Sequence, residues 1–310
     1  MAVVAHDLPF DRGASLAADL ASISGRRRTK NLMMTALMVL AVVLVGFVLI
    51  LVLATVATKG WSIVSGGFPD WFTKDIQLAP RRPGPGMKAA IVGTCIVTLT
   101  ATVIAVPLGI AGAIYLHEYG RNRPFARVLR FLANVMAGVP SIVMGLFIYV
   151  FWVVPRGTDG LNGFSGALAL ACLMLPIVVR SSEEMLRLVP QNLRDASFAL
   201  GASTSRTTLR VVLPKASPGI ISGCLLAIAR AAGETAPLIF TIGAAKATNW
   251  SVFNGTTTSL SMQIYGNAKE SFPAAQERAW GAALTLIALA FLFTVAGRAL
   301  SARLSRTRAS

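Results

Sequence analysis

The polar segment "PQNLRDASFALGASTSRTTLRVVLP", residues 190–214, lies between two strongly apolar stretches and predicts two short helices. Pro190 suits the first position of a helix, and Leu193 and Leu200 recur at helical spacing. Gly201 predicts the end of that helix, because glycine adopts the left-handed backbone conformation without steric cost. The first helix is therefore expected to run from Pro190 to just before Gly201.

The second helix of this segment has two possible capping residues, Ser203 and Ser205, and it places Leu209 on an apolar face. Pro214 and Pro218 follow, and we expect them to break the chain before the next apolar stretch. On periodicity alone, two such amphipathic helices are typical of a segment that lies on a membrane surface.

The sequence around this segment is that of a membrane protein. Hydrophobic residues make up 55% of the 310 residues and charged residues only 14%, whereas a soluble domain carries about a quarter charged residues. Six stretches approach or exceed the length that crosses about 30 Å of hydrocarbon as a helix. They are Leu32–Thr58, Ala89–Leu116, Phe131–Pro155, Leu161–Val179, Ala216–Ala245 and Ala279–Gly297. We therefore predict an all-α integral membrane protein with six transmembrane helices.

The expected organisation follows from these stretches. It comprises a cytoplasmic N-terminal tail over 1–30, a first transmembrane helix over 31–58, an outer loop over 59–88, a five-helix transmembrane domain over 89–300 and a cytoplasmic tail over 301–310. The outer loop is rich in glycine and proline, which predicts loop structure in place of helix. Trp61, Trp71 and Phe72 in this loop suit the aromatic belt at a membrane interface better than a ligand cage.

The net charge of +16 raises the possibility of nucleic-acid binding. The positions of the basic residues argue against it. If both termini are cytoplasmic, nineteen Lys and Arg residues lie on the inner side and nine on the outer side. This asymmetry follows the positive-inside rule, so the charge predicts membrane topology with no nucleic-acid partner.

Sequence signals for catalysis or cofactor binding are missing. The chain has no phosphate-binding glycine loop, zinc pattern or nucleophile elbow. Cys95, Cys172 and Cys224 lie singly in apolar stretches, without the spacing of metal ligands. We therefore expect a chain that is not an enzyme and that holds no metal or cofactor of its own.

Residues 195–214 resemble the EAA loop of ATP-binding-cassette importer permeases, whose pattern is Glu-Ala-Ala, three residues, Gly, nine residues, then Ile-x-Leu-Pro. Here Asp195, Ala196 and Ser197 are followed at the same spacings by Gly201 and by a Val-Val-Leu-Pro run. The resemblance implies a type I ABC importer permease fold, with residues of about 190–214 docking on a separate ATPase subunit. The coupling residues that it implies are Asp195, Ala196, Ser197, Leu200, Gly201, Leu213 and Pro214.

Three further stretches narrow the resemblance. "GVPSIVMGLF" (138–147), "LPIVVRSSEEMLRLVP" (175–190) and "ARAAGETAPLIFT" (229–241) look like the permeases of the Pst high-affinity phosphate importer, and "GETAPL" resembles its A-type subunit. What this implies is a multi-pass permease of the bacterial cytoplasmic (inner) membrane that carries phosphate. Its implied partners are a C-type permease, a dimer of ATP-binding subunits that holds ATP–Mg, and an external phosphate-binding protein.

Two charges inside the fifth apolar stretch, Arg230 and Glu234, are the main candidates for a substrate path. Each costs about 2.5–3.5 kcal/mol to place at the centre of a bilayer. They either pair with each other for assembly or line a polar path, and we favour the path because an arginine fork suits phosphate oxygens. Thr235 and Ser141 are further path candidates, although Thr235 equally suits helix packing and Ser141 also suits a hydrogen bond to its own backbone.

Alternative functions remain open at the level of sequence. A permease of the same class could carry another oxyanion or small solute. A secondary anion transporter would use Arg230 and Glu234 without ATP, but it predicts inverted repeats that the sequence does not display, and it leaves residues 195–214 unexplained. A membrane-embedded enzyme is the least favoured, since no acid–base cluster is visible.

Overall fold

The computed structural model describes residues 25–120 and 123–306. Most of the predicted N-terminal tail and residues 307–310 of the C-terminal tail lie outside the described residues. The helices within the described ranges are α1 Gly25–Gly66, α2 Asp70–Thr73, α3 Lys88–Ile114, α4 Pro124–Gly138, α5 Ser141–Ile148, α6 Gly163–Arg187, α7 Gln191–Ala199, α8 Thr204–Thr207, α9 Leu213–Ala232, α10 Ala236–Thr241, α11 Leu260–Lys269 and α12 Pro273–Arg306. One-turn π-helices follow α3, α5 and α8.

In the described part of the chain, six helical segments are long and apolar enough to cross a membrane. The prediction of an all-α protein with six transmembrane helices is therefore confirmed. The segments are Thr29–Gly66, Lys88–Tyr119, Ser141–Gly160, Gly163–Arg187, Thr204–Ala232 and Pro273–Ala299. The first helix ends at Gly66, so the first part of the predicted outer loop is helical.

The chain divides into two compact units, Met1–Thr55 and Val56–Ser310. The described part of the first unit is one continuous helix, and its residues from Leu32 onward are strongly apolar. The second unit contains the other five candidate spans and every candidate site residue, and the contacts reported below all lie within it.

A seam of small residues holds the centre of the second unit together. The buried face of α3 carries alanine, glycine and threonine at helical spacing and packs against α6. At Gly109, an added Cβ would lie 2.6 Å from Val178 Cγ1 of α6. Small residues let two helix backbones approach closely, which is how helices associate where lipid supplies no hydrophobic drive between them. This pair therefore forms the packed centre of the second unit.

The prediction for Trp71 was wrong. Its side chain is fully buried instead of lying at a membrane interface, and its indole Nε1 donates a hydrogen bond to Thr285 Oγ1 at 3.0 Å. Gly281 makes room for the ring, since a Cβ at that position would lie 2.6 Å from Trp71 Cη2. A buried indole needs an acceptor for its N–H, and Thr285 provides it.

The expected break at Pro214 and Pro218 was also wrong. The chain from Thr204 to Ala232 is one helical segment, in which the π-helix Thr208–Val212 joins α8 to α9. Pro214 lies in the first turn of α9, where its fixed backbone angle is compatible with a helix and its missing N–H is tolerated. The polar segment over 190–214 therefore passes directly into a candidate membrane-crossing helix.

Candidate functional site

The charged pair in the fifth membrane segment lies at the end of α9. Arg230 Nε and Glu234 Oε1 are 3.5 Å apart, which makes them an ion pair. The Arg230 side chain is 67% exposed in this chain, whereas the Glu234 side chain is 17% exposed. Arg230 is therefore the exposed member of the pair, and the Glu234 carboxylate lies largely within the protein.

A break in the helix separates these two residues, although the sequence predicted a continuous stretch over Ala216–Ala245. Helix α9 ends at Ala232, and α10 begins at Ala236, with Glu234 between them. Pro237 has no N–H to donate to the carbonyl of Gly233, so the helix ladder cannot continue. Gly233 and Pro237 were the sequence signals for this break.

The backbone in the break is held by a hydroxyl from another part of the chain. Ser261 Oγ, which is buried, donates to the Glu234 carbonyl at 2.8 Å. Ser261 is anchored in turn, because the neighbouring Leu260 N–H donates to Thr94 Oγ1 at 2.8 Å. Glu234 therefore occupies a defined position, and the exposed Arg230 side chain is the less confined partner.

Thr235 and Ser141 occupy different places in this region. Thr235 is half-buried at the N-cap position of α10 and makes no side-chain capping bond there. Ser141 is half-buried at the start of α5, after a break in the predicted third apolar stretch at Gly138–Pro140. Ser141 is related to the charged pair through the packing of α5, which it begins, against α10.

The contact between α5 and α10 depends on a glycine. A Cβ added at Gly145 would lie 2.5 Å from Pro237 Cα and 2.8 Å from Pro237 O, both of them backbone atoms. The two short helices therefore touch backbone to backbone, three residues after Glu234. The position of the charged pair is tied to this contact.

Replacing Gly145 by alanine is expected to destabilise the protein by about 2–3 kcal/mol, because the added methyl meets backbone atoms that cannot rotate away. Thermal unfolding in detergent would measure the loss as a lower Tm. Gly138→Ala is the matched control, since nothing lies within 4 Å of a Cβ at that position. An equal Tm for Gly145→Ala and the unmodified protein would contradict the close contact seen here.

The polar segment over 190–214 adopts the first predicted helix, α7, with ends close to those expected. Pro190 is the N-cap residue, and Gly201 follows the helix with φ +79°, the left-handed conformation that favours glycine. Of the two candidate caps for the second helix, Ser203 is the one observed: its Oγ accepts a hydrogen bond from the Arg206 N–H at 3.4 Å.

The predicted coupling residues divide into two groups. Those around α7 lie at the surface, and Leu200 is 89% exposed, which is unusual for an apolar side chain. Asp195, Ala196 and Gly201 are exposed as well, and Ser197 is half-buried. Leu213 and Pro214 are half-buried in α9, and Leu213 packs against the main hydrophobic core. The first group forms a surface, whereas the second belongs to the membrane helix.

Arg194 is a further residue of interest in α7 that the sequence did not single out. It is 6% exposed, and its guanidinium contacts Glu118 Oε1 at 3.0 Å. No local pattern predicts this pair, because the two residues are 76 positions apart.

A further cluster of charges lines a cavity between the middle of α4 and the C-terminal part of α6. Arg130 Nε donates to Glu183 Oε1 at 2.8 Å, and Arg130 Nη2 donates to the Leu116 carbonyl at 2.7 Å. Arg180 pairs with Glu184 across 3.7 Å at the mouth of the same cavity. Two of the arginines that line it, Arg130 and Arg180, are thus paired with carboxylates, and Arg187 lines it as well.

Comparison with known proteins accounts for the membrane helices and the segment over 190–214 together. Residues 105–306 match the family described as the binding-protein-dependent transport system inner membrane component. The chain belongs to this family. It is thus a multi-pass membrane permease subunit, as the segment over 195–214 led us to expect.

Several relatives of this permease are similar over most of their length. The phosphate transport system permease protein PstA of Mycobacterium leprae is 42% identical over 92% of this chain and 93% of its own. PstA 1 of Mycobacterium tuberculosis (strain H37Rv) is 44% identical over 84% of both chains. PstA of Haemophilus influenzae is 39% identical over 83% of this chain and 89% of its own.

Solved structures support the type I ABC importer permease fold. A chain of the MetNI methionine ABC transporter, solved in inward-facing conformations, superposes with a TM-score of 0.53. The match covers 68% of this permease and 90% of that chain, at 20% sequence identity. At this identity the likeness concerns the fold alone.

Proposed function

We propose that this chain is the membrane-spanning permease subunit of an ATP-driven importer of inorganic phosphate, and that it is not itself catalytic. The observation that carries the proposal is the Arg230–Glu234 ion pair at a break in a membrane helix. It occurs in a chain about 40% identical to proteins named phosphate transport system permeases.

The chemistry of the pair suits an anion that must bind and then leave. An arginine guanidinium offers a planar fork of donors that matches two oxygens of a phosphate group. The Glu234 carboxylate neutralises Arg230 when the path is empty, which lowers the free-energy cost of an unpaired charge in the membrane. When phosphate arrives, the exposed Arg230 side chain turns to it, while Glu234 stays anchored in the break.

Glu234 also provides a basis for selecting phosphate over sulfate. A carboxylate accepts a hydrogen bond from the hydroxyl of protonated phosphate, and sulfate carries no such proton at neutral pH. Thr235, beside Glu234, and Ser141 are secondary polar contributors in this proposal. Selection would therefore operate at the charged pair in addition to any selection by an external binding protein.

Glu234→Gln is expected to lower phosphate uptake about 10-fold, because a hydrogen bond to a charged acceptor contributes about 1.5–3 kcal/mol. Inhibition of that uptake by sulfate should increase. Uptake of radiolabelled phosphate with and without competing sulfate measures both effects. Glu277→Gln, at an exposed carboxyl elsewhere in the described chain, is the control. Unchanged uptake and unchanged sulfate rejection in Glu234→Gln would contradict this role.

Transport of this kind needs partners, and the exposed surface of α7 supports one of them. Asp195, Ala196, Leu200 and Gly201 would dock on a dimer of ATP-binding subunits, which hold ATP–Mg. Ser197 would support that surface from within, and Leu213 and Pro214 would pass motion into α9. A C-type permease would complete the path, and an external phosphate-binding protein would deliver the ligand. This arrangement places residues 190–214 and both termini in the cytoplasm.

The proposal is tested by reconstituting this chain with its candidate partners in proteoliposomes and measuring uptake of radiolabelled phosphate with and without internal ATP. ATP-dependent uptake that arsenate inhibits and sulfate does not is the expected result. ATP-dependent uptake of another solute, with no uptake of phosphate, would mean that the importer carries that solute and not phosphate. Phosphate uptake indifferent to ATP would favour a secondary transporter.

A further inference from the structure

The buried guanidinium of Arg194 joins three elements at the cytoplasmic end of the membrane helices. Its Nη2 contacts Glu118 Oε1 at 3.0 Å and donates to the Leu186 carbonyl at 2.9 Å, and its Nη1 donates to the Val189 carbonyl at 2.7 Å. The Nε2 atom of His117 lies 3.4 Å from the same Nη2.

These contacts come from different parts of the chain. Glu118 lies in the π-helix Tyr115–Tyr119 that ends α3, and Leu186 lies in the last turn of α6. Arg194 is in the middle of α7. One side chain therefore connects the helix proposed to receive the ATPase to the two helices that form the central seam.

The arrangement uses the ability of arginine to make several directed bonds at once. The last carbonyls of a helix have no partner within the helix, and the Arg194 fork satisfies carbonyls at the end of α6 while it also pairs with Glu118. The Glu118 side chain is 9% exposed and the Arg194 side chain 7%. A buried ion pair is weak evidence for stability, since apolar residues of the same volume often stabilise as much. The directed bonds of Arg194 instead define the orientation of α7 relative to α3 and α6.

Asp195, the next residue in α7, indicates the role of this orientation. Asp195 is exposed, whereas Arg194 is buried, so adjacent side chains of α7 point to the docking surface and to the interior. Movement of the docking surface is therefore transmitted to the ion pair, because Asp195 and Arg194 are consecutive residues. From there it reaches α3 and α6, and α6 packs against α9, which carries Arg230.

We propose that Arg194 and Glu118 are positioning residues that hold α7 rigidly on α3 and α6, so that movement of the ATPase is converted into movement of the membrane helices. The inference rests on the proposed function, because it takes α7 as the site of ATPase docking. Loss of the pair would leave α7 able to dock but free to pivot, and ATP would be hydrolysed with less transport.

The first measurement is transport per ATP hydrolysed in the reconstituted complex. Glu118→Gln keeps the side-chain shape and removes the charge, and we expect it to lower phosphate uptake per ATP about 10-fold, a typical magnitude for coupling between sites. Arg194→Gln should have the same effect. Arg194→Lys should retain only part of the uptake per ATP, because lysine keeps the charge without the planar fork of donors. The ATPase subunit should co-purify with every variant in normal amount.

The second measurement reports the position of α7 directly, by the distance between two spin labels in the same complex. Gln191 at the start of α7, away from Leu200 of the docking surface, and Leu108 on α3 are exposed sites for the labels, and Leu108 is about 15 Å along the helix from Glu118. Cys95, Cys172 and Cys224 are first replaced by alanine. We expect a narrow distance distribution in the unmodified complex and a clearly broader one in Glu118→Gln, because a helix that pivots samples more positions.

The control is Arg127→Gln, which removes an exposed arginine on α4 and should change neither measurement. A distribution of unchanged width in Glu118→Gln would overturn the proposal. Loss of the ATPase subunit, or a parallel fall of hydrolysis and uptake, would also overturn it, since a merely structural role predicts those results. If the unmodified complex shows no ATP-driven phosphate uptake, the proposed function fails, and the width of the distribution still decides whether the pair holds α7.

Discussion

Arg230→Gln is expected to reduce ATP-dependent phosphate uptake by about 100-fold while the complex still assembles. The guanidinium is the exposed member of the ion pair and the group that would contact the anion. Losing charge-assisted hydrogen bonds costs about 3 kcal/mol, which corresponds to about two orders of magnitude in rate. Arg230→Lys should retain part of the uptake, because an ammonium keeps the charge but not the planar fork. Uptake of radiolabelled phosphate into proteoliposomes measures both variants.

The control for this experiment is Arg298→Gln, at an exposed arginine near the end of α12, which should leave uptake unchanged. The amount of each subunit recovered after purification separates the two interpretations of the pair. If Arg230→Gln prevents assembly, the pair serves assembly and not the path. If the complex assembles and transports normally, Arg230 has neither role.

Leu200→Asp is expected to weaken binding of the ATPase subunit at least about 30-fold, so that the subunit no longer co-purifies and uptake is lost. Leu200 is 89% exposed at the end of α7, where it would be an apolar anchor for docking. Residues that fill a central pocket of an interface often contribute about 2 kcal/mol or more. An aspartate there also buries an unpaired charge in the complex. Quantitative co-purification and ATP hydrolysis by the complex measure the effect.

Leu188→Asp provides the comparison, because Leu188 is also an apolar residue, 72% exposed, located just before α7. It should retain the ATPase subunit. Equal losses in the two variants would mean that docking does not depend on Leu200 in particular. Normal co-purification in Leu200→Asp would contradict α7 as the docking surface. The Arg230 and Leu200 variants also differ from each other, since only the second should separate the ATPase from the membrane subunits.

Much of the fold was predictable from the sequence, because it depends on properties that a short window contains. Six apolar stretches predicted six membrane helices, since a helix that meets lipid needs about 20 apolar residues in a row. The spacing from Asp195 to Pro214 led to the permease family, and Gly201 predicted the end of α7 correctly. These signals are local in the chain, and the structure did not alter them.

The candidate site was predictable only in part. Arg230 and Glu234 were identified because charges are costly in an apolar stretch, and the structure places them in contact. The prediction that both residues lie in one continuous helix was wrong. The break after Ala232 depends on Pro237, on the hydroxyl of Ser261 and on the contact with Gly145. The roles assigned to Thr235, Ser141 and the coupling residues stay predictions.

The sequence by itself thus determined the number of membrane helices, the polar segment over 190–214 between the fourth and the fifth, and the charges that a membrane segment must accommodate. Only the tertiary structure decided where those charges are held, that Trp71 is buried, and that Arg194 meets Glu118 from 76 positions away. The physical reason is the range of the interactions. Burial in lipid and helical periodicity act on neighbouring residues, whereas an ion pair or a close glycine contact depends on how distant segments pack.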